Sequence, residues 1–443
     1  MDSSLLDLLL LTTSDNNTED DDKLLLILAA TIVHASNDDH HRSIQQHRVR
    51  CGYLSRPQLL PNPLSDTPWT VLYRSCSDSA YLATMGLDVT AFQAILDAQF
   101  SLRWYLTPLH RSDATPATNP RCITRSLNAG GALGLLLHWL TSTMRQISLQ
   151  QIFALIPSTM SRYITTSLPL LIETLRSMDS ARICWPQGDE FHELSQLVSA
   201  RHPLLSGVFG SIDGLNIACQ VLADVEIENA TYNGWLHGHY ISSVIAFSSR
   251  GMSTGLVNQL LGLMIQSPGE IISARTNCPG SWHDSRIAVG IYKQLDTETP
   301  EGFCLVADSA FPQGSWRLVG KILVPLQNGD PLLLDGDEHR FVLAQSCAVL
   351  SYRQTAEWDM RQLQGSFGQL SLLLDINDWD QRSNLLEVCF QLHNLKARLI
   401  GINQICNIYS RAVRQPWGGF ESILFPRRQV SRVSNFHVQE EWS

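Results

Sequence analysis

Two short apolar runs in this chain lead directly into an aspartate. Residues 207–212 (GVFGSI) run into Asp213, and residues 303–307 (FCLVA) run into Asp308. Each run is strand-sized and rich in β-branched or aromatic residues. A strand that ends in aspartate sets a carboxylate at the rim of a sheet, where a ligand can reach it. Two such strands side by side would bring like charges within a few ångströms, which is unfavourable unless a cation lies between them. Mg2+ suits that setting because it accepts one or two carboxylates and keeps its other positions for water and phosphate oxygens. The plainer alternative is that both are turn aspartates at strand ends.

A third acid, Glu357, stands in SYRQTAEWDMRQLQGSFGQL. Here Ala356, Met360, Leu363 and Phe367 fall on one helical face, and Glu357 lies about 100° round from it. Arg353 and Arg361 sit one turn either side of Glu357. This pattern fits a surface lattice of ion pairs at i,i+4 spacing. It also fits a metal ligand with arginines that grip a nucleic-acid backbone.

The elements that must position these acids are strands and helices in alternation. A further strand is expected at 240–247 (YISSVIAF), with helices at about 341–370 and 380–410, which indicates an α/β domain. Upstream, 51–205 reads as mostly helical. Within it Ser148 is expected to cap a short helix through Phe153 and Ala154. After a break at Ile156–Pro157, Ser158 would cap a longer helix with Met160, Ile164, Leu168 and Leu171 at helical spacing. Such a unit is either an ordinary helical hairpin or a helix-turn-helix that presents Ser158, Thr159, Ser161 and Arg162 to DNA. The organisation read from the sequence is a polar, acidic leader at 1–50, a helical domain at 51–205, an α/β domain at 206–410 and a C-terminal tail at 411–443.

Composition narrows the class. With 44% apolar and 17% charged residues among 443, the chain can bury a large core. The formal charge of −10 is unevenly placed: residues 1–40 carry −8, 41–200 carry +3, and the remainder −5. The acidity therefore belongs mainly to the leader and does not exclude a nucleic-acid partner. Asp38, Asp39, His40 and His41 lie in that leader and read as solvated tail. The ten cysteines include no CxxC pair, so neither a zinc ribbon nor a redox dithiol is expected, and a reduced intracellular protein is the default. The apolar stretch at 24–33 is half the length a spanning helix needs and follows acids rather than a basic region, so no membrane partner is expected.

Five blocks, GSIDGLNIAC, YNGWLHGHY, NCPGSWHDS, LVADSAF and AEWDMRQLQGSFG, occur in that order. Together they resemble the catalytic domain of Harbinger-type DDE transposases and the nucleases derived from them. The resemblance runs from about Gly207 to Ser410, and TPWTVLYRSCSDSAYLATMGLDVTAFQAIL with the helix-turn-helix stretch extends it upstream. It implies an RNase H-like α/β fold preceded by a helical, helix-turn-helix-containing domain. Asp213 falls on the family's first acid, on the first strand. Asp308 falls on the second, on the fourth strand, and Glu357 on the third, on a following helix. The implied activity is phosphoryl transfer on DNA by two Mg2+ or Mn2+ ions about 3.5–4 Å apart, held by these three acids. Asp284 is a further candidate ligand. His283, Asn233, His237 and His239 are expected around the site, with Tyr232 and Trp235 in the same polar-aromatic cluster. Arg353 and Arg361 would contact the nucleic acid. The resemblance also implies a nuclear location, with an accessory DNA-binding protein and a homodimer as further partners to test.

Two stretches depart from the family pattern. Residues 252–266 (MSTGLVNQLLGLMIQ) have no counterpart and read as intron sequence carried into the protein; a transcript that retains them would refute this. If genuine, they extend a hairpin between two sheet strands near the site. After the AEW block the chain reads GSFGQLSLLLD, where the family carries bases, which implies a weaker grip on phosphate. The alternative reading is a transposase-derived DNA-binding or adaptor protein without catalysis.

Overall fold

The computed structural model describes residues 53–109, 125–221, 225–252, 269–311, 318–326 and 336–400. The leader at 1–50, the tail at 411–443 and residues 253–266 of the unmatched stretch lie outside them. Among the described residues no helix is long and apolar enough to cross a membrane.

The first half is helical: α1 (Pro68–Ser75), α2 (Asp78–Met85), α3 (Val89–Ile95), α4 (Ser101–Leu106), α5 (Ala129–Thr141), α6 (Gln146–Phe153), α7 (Pro157–Ser177) and α8 (Glu190–Arg201). Local signals set several of the starts. Thr67 accepts from the Thr70 backbone N–H ahead of Pro68, and Asp88 accepts from Ala91 N–H. The central helix α5 is buried nearly all round, and Gly134 is required there because a Cβ would overlap the Trp69 ring.

Helices α6 and α7 are joined by a three-residue turn that begins with Ala154 in the left-handed region (φ 51°). Two of the expected caps are corrected. Helix α6 begins at Gln146, with Arg145 as its N-cap, so Ser148 lies inside the helix. Helix α7 is capped by Ile156 and begins with Pro157, whose missing N–H costs nothing at that position, and Ser158 follows it. Ser158 and Ser161 are exposed, and Thr159 and Arg162 are half-buried.

The second half holds a mixed sheet. Its strands are β1 (Val208–Ala218), β2 (Tyr232–Asn233), β3 (Gly238–Ser248), β4 (Ile271–Pro279), β5 (Cys304–Val306) and β6 (Ile322–Leu323). The order is β2-β3-β1-β5-β6, with β4 also paired to β3. Strands β1, β3 and β4 run antiparallel, whereas β5 and β6 join parallel to β1. Helix α9 (Val225–Thr231) precedes β2, and α10 (Asp284–Ile287) and α11 (Val289–Thr297) precede β5. The long α12 (Gly336–Ser366) and α13 (Trp379–Leu395) follow β6. This mixed α/β arrangement is compatible with the RNase H-like fold expected from the sequence.

The alternation of β3 shows how the sheet is covered. Ile241, Ile245 and Phe247 face one core with α1–α7, α12 and α13, whereas Val244 and Ala246 face another with Trp185, Phe191 and Ile291. Helices α1–α7 thus share a continuous core with one face of the sheet, whereas α8 packs into the two other cores. Arg176 of α7 adds a bidentate pair to Glu387 of α13 at 2.6 and 2.7 Å.

Strands β3 and β4 are antiparallel neighbours, so residues 249–270 connect two paired strands, and Ser248 N–H donates to Glu270 C=O at 2.8 Å. Removing residues 252–266 leaves seven residues to close this hairpin. The shorter loop lowers the closure entropy by about 1 kcal/mol. The expected result is a deletion variant that folds with an equal or higher urea midpoint; a large fall in midpoint would show that the segment contributes to the folded state.

Candidate active site

Asp213 does not end its strand. Leu215 and Ile217 continue the inward alternation, so β1 runs on to Ala218 and Asp213 pairs with Ile245 in mid-sheet. Directly opposed residues share a face, so Asp213 projects on the side of Ile245, the side covered by α12 and α13. Asp308 follows β5, the parallel neighbour of β1, by two residues. It is the fourth strand when the two-residue β2 is set aside. The Asp308 carboxylate accepts from Ala310 N–H at 2.9 Å, which fixes the turn at the sheet rim.

The neighbouring residue on β1, Gly214, pairs with Val244 and so faces the opposite side. A Cβ there would lie 2.6 Å from Asp284 Oδ2. Only glycine lets the Asp284 carboxylate come so close to the β1 backbone. Asp284 opens α10, where His283 caps the helix through Ser285 N–H and contacts Ser285 Oγ at 2.9 Å.

These three acids feel one another. Burial pushes the Asp213 carboxyl up to about 6, the charges of Asp308 and Asp284 adding to the rise while Gly214 N–H and Arg353 oppose it. Asp284 is raised by burial and then by Asp308. The Tyr292 hydroxyl is raised by burial and then by Asp284 and Asp308; it is buried with no hydrogen-bond partner among the described residues. Spacing along the sequence gave no sign of Tyr292, because its role rests on the return of α11 beneath the carboxylates.

Glu357 is placed differently. Ala356, Met360 and Leu363 are buried, as the helical face requires, whereas Phe367, also buried, lies just past the end of α12 in extended backbone. Glu357 is half-buried beside that face and accepts from Arg353 at 3.3 Å. Its link to the aspartates runs through Arg353, whose charge lowers the Asp213 pKa. Arg361 is exposed on the same helix. Among the described residues, no three His, Cys, Asp or Glu side chains converge as metal ligands. The pleat supplies the reason: Asp213 and Asp284 approach β1 from opposite faces, and Glu357 is engaged by Arg353.

The polar-aromatic cluster is a turn. Asn233 donates to Gly280 C=O and accepts from Trp235 N–H and Leu236 N–H, all at 3.0 Å. His237 closes the turn in the left-handed region (φ 51°), and His239 lies 3.1 Å from Thr231 Oγ1. A cleft of about 470 Å3 lined by Arg182, Trp185, Arg250, Glu270 and Arg398 includes none of the site carboxylates. Its arginines Arg250 and Arg398 are paired with acids, Glu190 and Glu270 among them.

The sequence pattern did not single out Asp359, which is buried on α12 and accepts from Gly269 N–H at 2.9 Å. Burial pushes its carboxyl up to about 7, against an ordinary value near 4. The folded state therefore holds the proton more tightly than the unfolded chain, and stability falls as pH rises between those values. Asp359→Asn keeps an acceptor for Gly269 and removes the titration. The variant is expected to be more stable than the parent at pH 8, by on the order of 1–3 kcal/mol, with the gap closing towards pH 4. Urea titrations across that range measure it, and a constant gap would refute the assignment.

Residues 212–394 match the family described as DDE superfamily endonuclease. No curated protein and no solved structure matches the chain. The matched segment begins one residue before Asp213, ends at Asn394, and contains Asp284, Asp308 and Glu357. It supports a transposase-like nuclease at the level of the family, and such endonucleases generally use divalent cations and act on DNA.

Proposed function

We propose that this protein is a DNA endonuclease of transposase type that cuts phosphodiester bonds with a divalent cation, Mg2+ or Mn2+, and that its particular kin are the Harbinger-type elements. One observation carries the reading: within the matched domain Asp213 lies on β1 and Asp308 lies two residues past the end of its parallel neighbour β5, close enough for the Asp308 charge to raise the Asp213 carboxyl.

The donor set fits a hard cation. Asp213 and Asp284, both raised by burial and further by the charge of Asp308, together with a buried Tyr292 hydroxyl that has no hydrogen-bond partner among the described residues, are relieved by positive charge and water. Asp213 and Asp308 would hold the ion, and Asp284 would add its negative charge from the opposite face of β1, becoming a ligand only with a local shift of α10. Glu357 would join them on leaving Arg353. When bound, the cation supplies charge neutralisation at the phosphate and an acidified water. The chain's own residues position and neutralise, since phosphoryl transfer leaves little covalent work to side chains. Arg353, released from Glu357, and Arg361 would face phosphate oxygens. Ser158, Thr159, Ser161 and Arg162 at the start of α7 would contact DNA through the helix-turn-helix, in a nuclear protein that acts as a homodimer or with an accessory DNA-binding partner. In this reading His283, Asn233, His237 and His239 hold the loops around the site.

The test is cleavage of DNA that carries candidate terminal repeats, with and without Mg2+ or Mn2+, and with an Asp308 variant as control. The Arg353–Glu357 pair favours a second reading, a DNA-binding scaffold without catalysis. Absence of cleavage by the wild-type protein would select it.

A further inference from the structure

The β2–β3 turn holds out a single indole. Trp235 is 90% exposed, more than any other large apolar side chain described. At this exposure the indole ring is open to any flat ligand that can stack on it. The turn beneath it is braced. The Asn233 carboxamide receives the backbone N–H groups of Trp235 and Leu236, and its Nδ2 donates to Gly280 C=O at 3.0 Å. A second strut runs from Ser281 N–H to Ala230 C=O at 3.1 Å. Gly280 fits between these segments because a Cβ would lie 2.5 Å from Thr231 C=O and closer still to Tyr240 C=O. The indole is therefore mounted on the segment that leads through His283 to Asp284.

That same segment carries a cation over an aromatic ring. The Arg286 guanidinium lies 4.0 Å from the centroid of Trp282, and both Arg286 and His283 face solvent. The exposed Trp235 ring and the exposed Arg286 guanidinium thus stand on two segments tied together by the Asn233–Gly280 and Ala230–Ser281 bonds; single-stranded nucleic acid is bound by such a pairing of groups, rings stacking on bases while cations meet phosphate. Bases within a duplex already stack on one another, so a braced indole gains a partner only where a base is unpaired.

We propose that Trp235 is a stacking platform for an unpaired base, at a DNA end or extruded from the helix, and that it positions the strand delivered to the carboxylates. This rests on the reading of the protein as one that acts on DNA. The preferred ligand is then a duplex with a single-stranded overhang rather than a blunt duplex.

The experiment measures binding in EDTA, so that cleavage plays no part. Full-length wild type, W235F and W235A are titrated with a blunt duplex and with the same duplex bearing a short overhang that contains 2-aminopurine. Wild type is expected to prefer the overhang and to quench its fluorescence. W235A should bind the overhang about 5- to 100-fold more weakly, without the quench and with blunt-duplex affinity unchanged. W235F should recover most of the affinity, because it restores a ring and nothing else. Equal overhang affinity and quench in wild type and W235A would overturn the proposal, and so would wild type that binds neither DNA. Metal-dependent cleavage is read separately with the Asp308 variant. Failure of catalysis with a Trp235-dependent overhang preference would leave this inference standing.

Discussion

Asp308→Ala is expected to lower divalent-cation-dependent DNA cleavage by on the order of 10^3-fold without destabilising the protein. The two halves of this result have separate causes. Asp308 sits at the rim, half-buried, and its one local bond, to Ala310 N–H, is worth about 1 kcal/mol. Its charge raises the carboxyls of both Asp213 and Asp284. Removing it relieves that repulsion, so both pKa values fall, which offsets the lost bond. A catalytic residue that is electrostatically unfavourable in the free protein is the expected signature of a site shaped for a cation. Asp308→Asn refines the test, since it keeps the turn bond and loses only the charge. Both variants should melt within a few degrees of wild type and both should fail to cleave. Cleavage at the wild-type rate by either variant would refute catalysis through this carboxylate. A variant that loses activity only in step with its stability would show a structural role instead.

The same residues show where sequence reasoning reached and where it stopped. Asp308 and the buried face of α12 were legible because each is set by local pattern: a short apolar run into a turn, and Ala356, Met360 and Leu363 at helical spacing. The limits of β1 were misjudged for a reason visible in the residues. Asp213 and Asn216 interrupt the apolar run, but Leu215 and Ile217 keep the period of two, and β3 pairs with β1 from Gly210 through Ala218. The caps at Ser148 and Ser158 were overridden by an earlier start at Gln146 and by Pro157. Two further facts were beyond any local reading. Gly214 matters because Asp284, seventy residues on, rests against it. Glu357 meets Arg353 before it meets the aspartates, and that choice depends on how α12 lies over β1. Strand β4, the unbounded second strand of the hairpin expected around residues 252–266, is likewise defined by distant partners.

Those partners give the second large effect. Where the chain re-enters the sheet, three side chains hold its backbone. Gly269 N–H donates to Asp359, and Gly269 C=O lies 3.0 Å from His393 Nε2. The next contact is reciprocal: Asn394 Oδ1 accepts from Ile271 N–H and Nδ2 donates to Ile271 C=O, both at 2.8 Å. Asn394 is fully buried, as is Ile271. His393 is held neutral, with burial lowering its pKa to about 4, so its Nε2–H can donate to Gly269 at any pH above that. Asn394→Leu has similar volume but leaves the N–H and C=O of Ile271 without water or partner. The expected cost is on the order of 2–4 kcal/mol, read as a fall in urea midpoint at constant m. Asn394→Asp separates the two bonds. Ionised, it can accept from Ile271 N–H but cannot donate to Ile271 C=O, and it adds a buried charge; protonated, it can do both. Its stability should therefore recover as pH falls, whereas that of Asn394→Leu should not. The consequence reaches the site through pairing. Ile271 opposes Phe247 on β3, Ala274 opposes Ile245, and Ile245 opposes Asp213. A strand that loses its anchor at Ile271 loosens the edge against which β3 presents Asp213, so Asn394→Leu should lose cleavage below its melting range as well as stability. Wild-type stability in Asn394→Leu would show that the pairing of β3 with β4 holds this edge without the asparagine.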